Sequence, residues 1–184
     1  MNKRLLDYIP QMEFPADTAT AQRHDEDAEM AGGAALLEAA SGAGLDDFLL
    51  SLIRRAGPSG RAALHSPLGH ALLAALKNAA RSVLPLDSAT LKLKAATIFG
   101  LELEGLSPED KEFELARHFV RFANGVIDAA LAPGTSMDPD SRVQAALLQA
   151  ARRHAPGLLR HSARQAASGG RWQRQDGRIV VLDC

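Results

Sequence analysis

The stretch FGLELEGLSPEDKEFELARHFVRFANGVIDAAL, residues 99–131, decides the fold. Ser107 is placed to cap a helix, and Pro108 fits the first helical position, where a missing N–H costs nothing. Asp110 stands three residues past the cap, a short-armed capping box. Glu109, Asp110 and Glu112 set negative charge on the positive end of the helix dipole. Pro133-Gly134 stops the helix after Leu131. At about 100° per residue, Phe113, Leu115, Ala116, Phe119, Val120, Phe122, Ala123, Val126, Ile127 and Ala130 fill one half of the wheel. Glu114, Arg117, His118, Arg121, Asn124 and Asp128 fill the other. An arc this wide belongs to a helix lying on a core, not to a coiled-coil seam. Glu112 falls inside the arc. It reads either as a dipole-stabilising acid at the rim or as a buried acid paired with Arg or Lys from elsewhere.

Three of the six Phe lie on this helix, and aromatics make up only 4% of the chain, so the core is shallow and rich in Ala. The length suits one domain with tails. No apolar run approaches the roughly 20 residues that span a bilayer. The first residues show no Sec-type apolar region. The single cysteine, Cys184, excludes an intramolecular disulfide. The expected location is the cytoplasm, with export by a non-Sec route as a further option. Net charge is −1, unevenly spread. Residues 1–50 carry −7, 51–100 carry +6, 101–140 carry −6 and 141–184 carry +6. Blocks of this size either attract one another or stand as separate solvated faces.

Taken in order, residues 1–30 read as a disordered acidic tail with an apolar linear motif, Leu5, Leu6, Tyr8 and Ile9, interrupted by Pro10 and Pro15. Two short helices follow, 31–40 and 46–55, the second with Phe48, Leu49, Leu52 and Ile53 as its stripe and Gly57-Pro58 as its stop. Ser66-Pro67 starts a helix to Leu84, another runs from Asp87 to Phe99, and a third spans 142–155. The helical domain is therefore 31–159. Residues 160–170 read as a basic linker. At 171–182, Asp176-Gly177 between two strand-like runs is a strong hairpin signal. A two-residue turn there sets Trp172 opposite Val181 and puts Trp172, Arg174, Ile179 and Val181 on one face. The expected fold class is mostly α: a small irregular helical bundle with a disordered N-terminal tail and a C-terminal β-hairpin.

Signatures of catalysis are missing. The sequence has no P-loop, GxGxxG, HExxH or GxSxG motif. It has no Glu-x-x-His of the di-iron bundles, and its six histidines lack zinc-ligand spacing. His118 pairs with Glu114 at i, i+4 and reads as a solvent-facing pair. Arg171, Arg174 and Arg178 beside Trp172 are too few for a nucleic-acid surface, and the acidic middle block opposes one. No cofactor, metal or catalytic residue is expected.

Three segments, GLELEGLSPED within 99–123, AARRHAPGLL at 150–159 and GRWQRQDGRIVVL at 170–182, resemble an uncharacterised bacterial family with a GLELEGLSPED-type segment and a C-terminal Gly-Arg-Trp hairpin. The resemblance spans most of residues 36–182. The family's Gly-rich stretch after Pro85 is shortened here, with no glycine before Gly100. The resemblance implies an association with gene clusters of extracellular contractile injection systems and carries over no catalytic residue.

The sequence thus points to a non-enzymatic interaction or structural accessory protein, a component or cargo of a larger bacterial assembly. The candidate partner-binding residues are Leu5, Leu6, Tyr8, Ile9, Trp172, Arg174, Ile179 and Val181. The expected partner is a protein or a second copy, not nucleic acid. The alternative is a membrane-surface protein using the amphipathic helices of 67–99.

Overall fold

The structure, a computed structural model, describes residues 16–40, 44–84, 89–134, 137–160, 172–175 and 178–181. The described residues contain, in order, the helices α1 (Ala16–Ala40), α2 (Leu45–Arg55), α3 (Gly57–Ala63), α4 (Pro67–Val83), α5 (Ala89–Phe99), α6 (Pro108–Leu131) and α7 (Pro139–His154). A further helical turn covers 156–160.

Helix α6 is the axis. Its cap forms as the sequence requires: the Asp110 amide donates to Ser107 Oγ at 3.1 Å, and the Ser107 hydroxyl donates to Asp110 Oδ2 at 2.8 Å. Leu115, Ala116, Phe119, Val120, Phe122, Ala123, Val126, Ile127 and Ala130 are all buried, while Phe113 is half-buried at the edge. Helices α1 and α7 pack along this core face most extensively. Leu49, Ile53, Leu72 and Leu76 from α2 and α4 close the core, each fully buried. The same capping logic starts α4, where the Gly69 amide donates to Ser66 Oγ, and α7, where the Ser141 amide donates to Asp138 Oδ1.

Helix α1 crosses α6 closely because two glycines lie at the contact. A Cβ on Gly32 would stand 2.9 Å from Val120 Cγ1, and one on Gly33 would stand 3.3 Å from the Arg117 backbone. The two helices run antiparallel, since Glu29 meets Arg121 and Gly33 meets Arg117.

The expected fold class is corrected on two counts. The tail assigned to 1–30 is not disordered throughout: α1 begins at Ala16, and Glu29 is buried against α6. The composition of 17–29 is that of a solvated chain, but the helix continues through it from the docked half at 29–39. Only residues 1–15 of that tail lie outside the described residues. Second, the β-hairpin is no part of this fold. From residue 16 to 160 the described residues contain no strand. Among the described residues the strands are Trp172–Gln175 (β1) and Arg178–Val181 (β2), which pair antiparallel with Trp172 opposite Val181 and Arg174 opposite Ile179. Their side chains and the turn at 176–177 lie outside the described residues. Two strands of four residues are marginal without a sheet or helix to pack on.

Gly57-Pro58, read as a stop, instead opens α3, with Gly57 at φ +83° turning the chain between α2 and α3. Gly60 then lets α3 fold back on α2, since a Cβ there would fall 1.9 Å from the Ile53 carbonyl oxygen. The segment 160–170 falls almost wholly outside the described residues.

Candidate functional site

Two concavities flank α6, one at each end. The first is polar and lies between α1 and α7, over the C-terminal half of α6. It encloses about 680 Å³ and is lined by Glu26, Glu29, Arg121, Asn124, Asp128, Gln149, Arg153 and His154, with Gly125, Ala129 and Ala132 as its small residues. Glu29 and Arg121 form a bidentate pair across it, with Arg121 Nε to Glu29 Oε1 at 2.8 Å and Arg121 Nη2 to Glu29 Oε2 at 2.5 Å. The glutamate side chain is 10% exposed and the arginine 33%. His154 lies against Gly125, close enough that a Cβ there would stand 3.1 Å from its ring. Burial, and then the charges of Arg121 and Arg153, hold the His154 imidazolium below the usual range. Among the described residues no Ser, Thr or Cys lines this cleft. Its central charges neutralise one another and tie α1 to α6.

The second concavity is apolar and lies where α5 meets the start of α6. It encloses about 740 Å³, within the range of about 300–1,000 Å³ typical of ligand pockets. One face of α5, Ala89, Lys92, Leu93, Ala96 and Thr97, forms one wall; Leu101, Leu103 and the first turn of α6 form the other. The reason is local. In ATLKLKAATIF, apolar residues surround the helix rather than one face, so the core takes Ala95, Ala96, Ile98 and Phe99 and leaves Leu93 66% exposed. Lys92 Nζ reaches Glu112 Oε1 at 2.6 Å and pins α5 to α6 beside the groove. Glu112 is thus a paired acid, and at 37% exposed it sits at the rim as well. Glu102 and Glu104 stand exposed on the loop side, with Lys111 at the opposite edge.

His118 is not the solvent-facing residue the wheel suggested. Its side chain is 18% exposed, its ring is 6.1 Å from that of Phe99, and Glu114 is 3.9 Å away. Burial is the main cause that lowers its pKa, and Arg121 and Arg117 add to it against Glu114.

Of the sequence-derived site residues, Leu5, Leu6, Tyr8 and Ile9 lie outside the described residues. Trp172 and Val181, and Arg174 and Ile179, are brought opposite one another as backbone partners, with side chains outside the described residues. The sequence reading missed Leu93, although an apolar residue flanked by two lysines on so short a helix was a usable signal. It also missed the Glu29–Arg121 pair, which joins residues 92 apart and leaves no local pattern.

Among the described residues no group of His, Cys, Asp or Glu is arranged to hold a metal ion, and no helix is long and apolar enough to cross a membrane. No family model, no curated protein and no solved structure matches the chain.

Proposed function

We propose that this protein is a non-enzymatic interaction or structural accessory protein, a component or cargo of a larger bacterial assembly such as a contractile injection system, and that it engages protein through the α5–α6 groove. The observation that supports this reading is the position of Leu93. An exposed leucine alone is ordinary. Here it stands 66% exposed on the wall of an apolar channel that also presents Leu101, Ala89 and Ala96. Apolar walls with a rim of opposite charges, Glu102 and Glu104 against Lys111, match the anatomy of a protein-binding groove. The assembly itself is suggested by the family resemblance of 99–123 and 150–159.

The membrane-surface reading has less behind it. The apolar face of α4 that would enter a bilayer, Leu72, Leu76, Ala80 and Val83, is buried in the core. Anionic vesicles are therefore expected to float without the protein. The experiment for the groove is site-specific photocrosslinking in cells, with the reactive group at position 93 or, as a control, at exposed position 152 on α7. Discrete protein adducts from 93 alone support the reading. Equal labelling from both positions, or none from 93, defeats it.

A further inference from the structure

We infer that the occupant of the α5–α6 groove is an amphipathic helix of a partner protein, laid along α5 by its apolar face and flanked by lysines or arginines. This rests on the groove reading above and names the chemistry of the partner. Three observations lead to it.

The first is that α5 has two apolar sides and the fold covers one. Ala95, Ile98 and Phe99 turn into the core, and Ala96 borders both sides. Ala89, Lys92, Leu93, Ala96 and Thr97 line the groove. These positions fall at i, i+3, i+4, i+7 and i+8, the stripe by which one helix packs on another. A helix that is apolar all round is ordinarily covered all round. Leu93, at the centre of the outer stripe, stays 66% exposed.

The second is shape. Along the stripe Leu93 has Ala89 one turn before it and Ala96 one turn after it. Small residues on both sides of a large one let a second helix come close and seat its own large side chains beside Leu93. The α5 wall uses its backbone hydrogen bonds within the helix, so it holds a partner through side chains, as helix-in-groove recognition does.

The third is charge. Glu102 and Glu104 are exposed along the loop wall, and Glu109 and Asp110 are exposed in the turn that follows Pro108. Of the two lysines among the described lining residues, Lys92 is neutralised by Glu112 at 2.6 Å, which leaves Lys111. Lys94 is exposed on α5 but does not line the groove. The rim thus sets four carboxylates against one ammonium. A partner helix with Lys or Arg beside its apolar stripe complements that rim, and an acidic helix is repelled by it.

The experiment is a ¹⁵N NMR titration of the full-length protein with three synthetic peptides of about 18 residues, above the length at which isolated helices become marginal. One is an amphipathic helix of Leu and Lys. The second replaces every Lys by Glu, and the third scrambles the first so that no apolar face remains. The Leu/Lys peptide should give saturable shifts at Ala89, Leu93, Thr97, Leu101 and Lys111, and the other two should give none there. Leu93→Gln should weaken binding about tenfold or more. Glu102→Lys/Glu104→Lys should move the preference to the Leu/Glu peptide; circular dichroism checks that both variants keep the helical signal. No saturable shift with any peptide, an equal response to all three, or shifts centred on Asn124, Asp128 and Gln149 overturns the inference. So do shifts at Leu93 that grow with protein concentration before any peptide is added, which would make a second copy the occupant. Discrete photocrosslinks from position 93 alongside any of these results would keep the groove reading and sink this occupant.

Discussion

Removing the Glu29 carboxylate probes how α1 is held. In Glu29→Ala, two charge-assisted hydrogen bonds at 2.8 and 2.5 Å are lost. Hydrogen bonds to charged groups contribute about 1.5–3 kcal/mol. The arginine left behind is one-third exposed, so water re-solvates much of it and the cost should sit near the lower end, about 2 kcal/mol. For a chain of this size that lowers Tm by roughly 4–8 °C. Arg121→Ala should cost more, because it strands a carboxylate that is only 10% exposed; breaking a buried pair this way costs about 3–5 kcal/mol. The double variant should fall well short of the sum of the two singles. Urea unfolding followed at 222 nm measures all three. Glu29→Ala within about 0.5 kcal/mol of wild type, or additive single effects, would show that the pair does not hold α1 to α6.

Phe119→Asp should leave the protein unfolded or aggregated, since it sets an unpaired charge at a fully buried point of α6; a cooperative wild-type-like melt would refute the assignment of that face. Ser107→Ala should cost about 0.5–2 kcal/mol through the lost cap, read from the urea midpoint at constant slope. His118 and His154 are both held below their ordinary pKa, so the unfolded chain binds more protons as pH falls through the histidine range. Stability should therefore be full above pH 6.5 and decline as pH drops from there toward the depressed folded values. His118→Gln should flatten that decline; a Tm that is level or rising from pH 7 to 5 contradicts it.

The helical core was legible because α6 repeats its apolar residues over 24 positions with a cap and a stop at either end. Helices α2, α4 and α7 were legible for the same reasons, each within a few residues of the observed bounds. Of helix α1 only 31–40 was legible, because residues 16–30 are largely acidic and polar and the order of the helix depends on Gly32 and Gly33 meeting α6, a tertiary fact. Helix α3 was hidden by Gly57-Pro58, which marks a stop in isolation and a turn with a helical first residue here. The groove escaped notice because periodicity reports which side of a helix is apolar, and α5 is apolar on more than one. Glu112 was flagged as anomalous, but only packing could supply Lys92 as its partner.

The most direct test of the account is photocrosslinking in cells from position 93, on the wall of the α5–α6 groove, with exposed position 152 of α7 as the control. Discrete protein adducts should form from 93 and not from 152. No adduct from 93, or equal labelling from both positions, would contradict it.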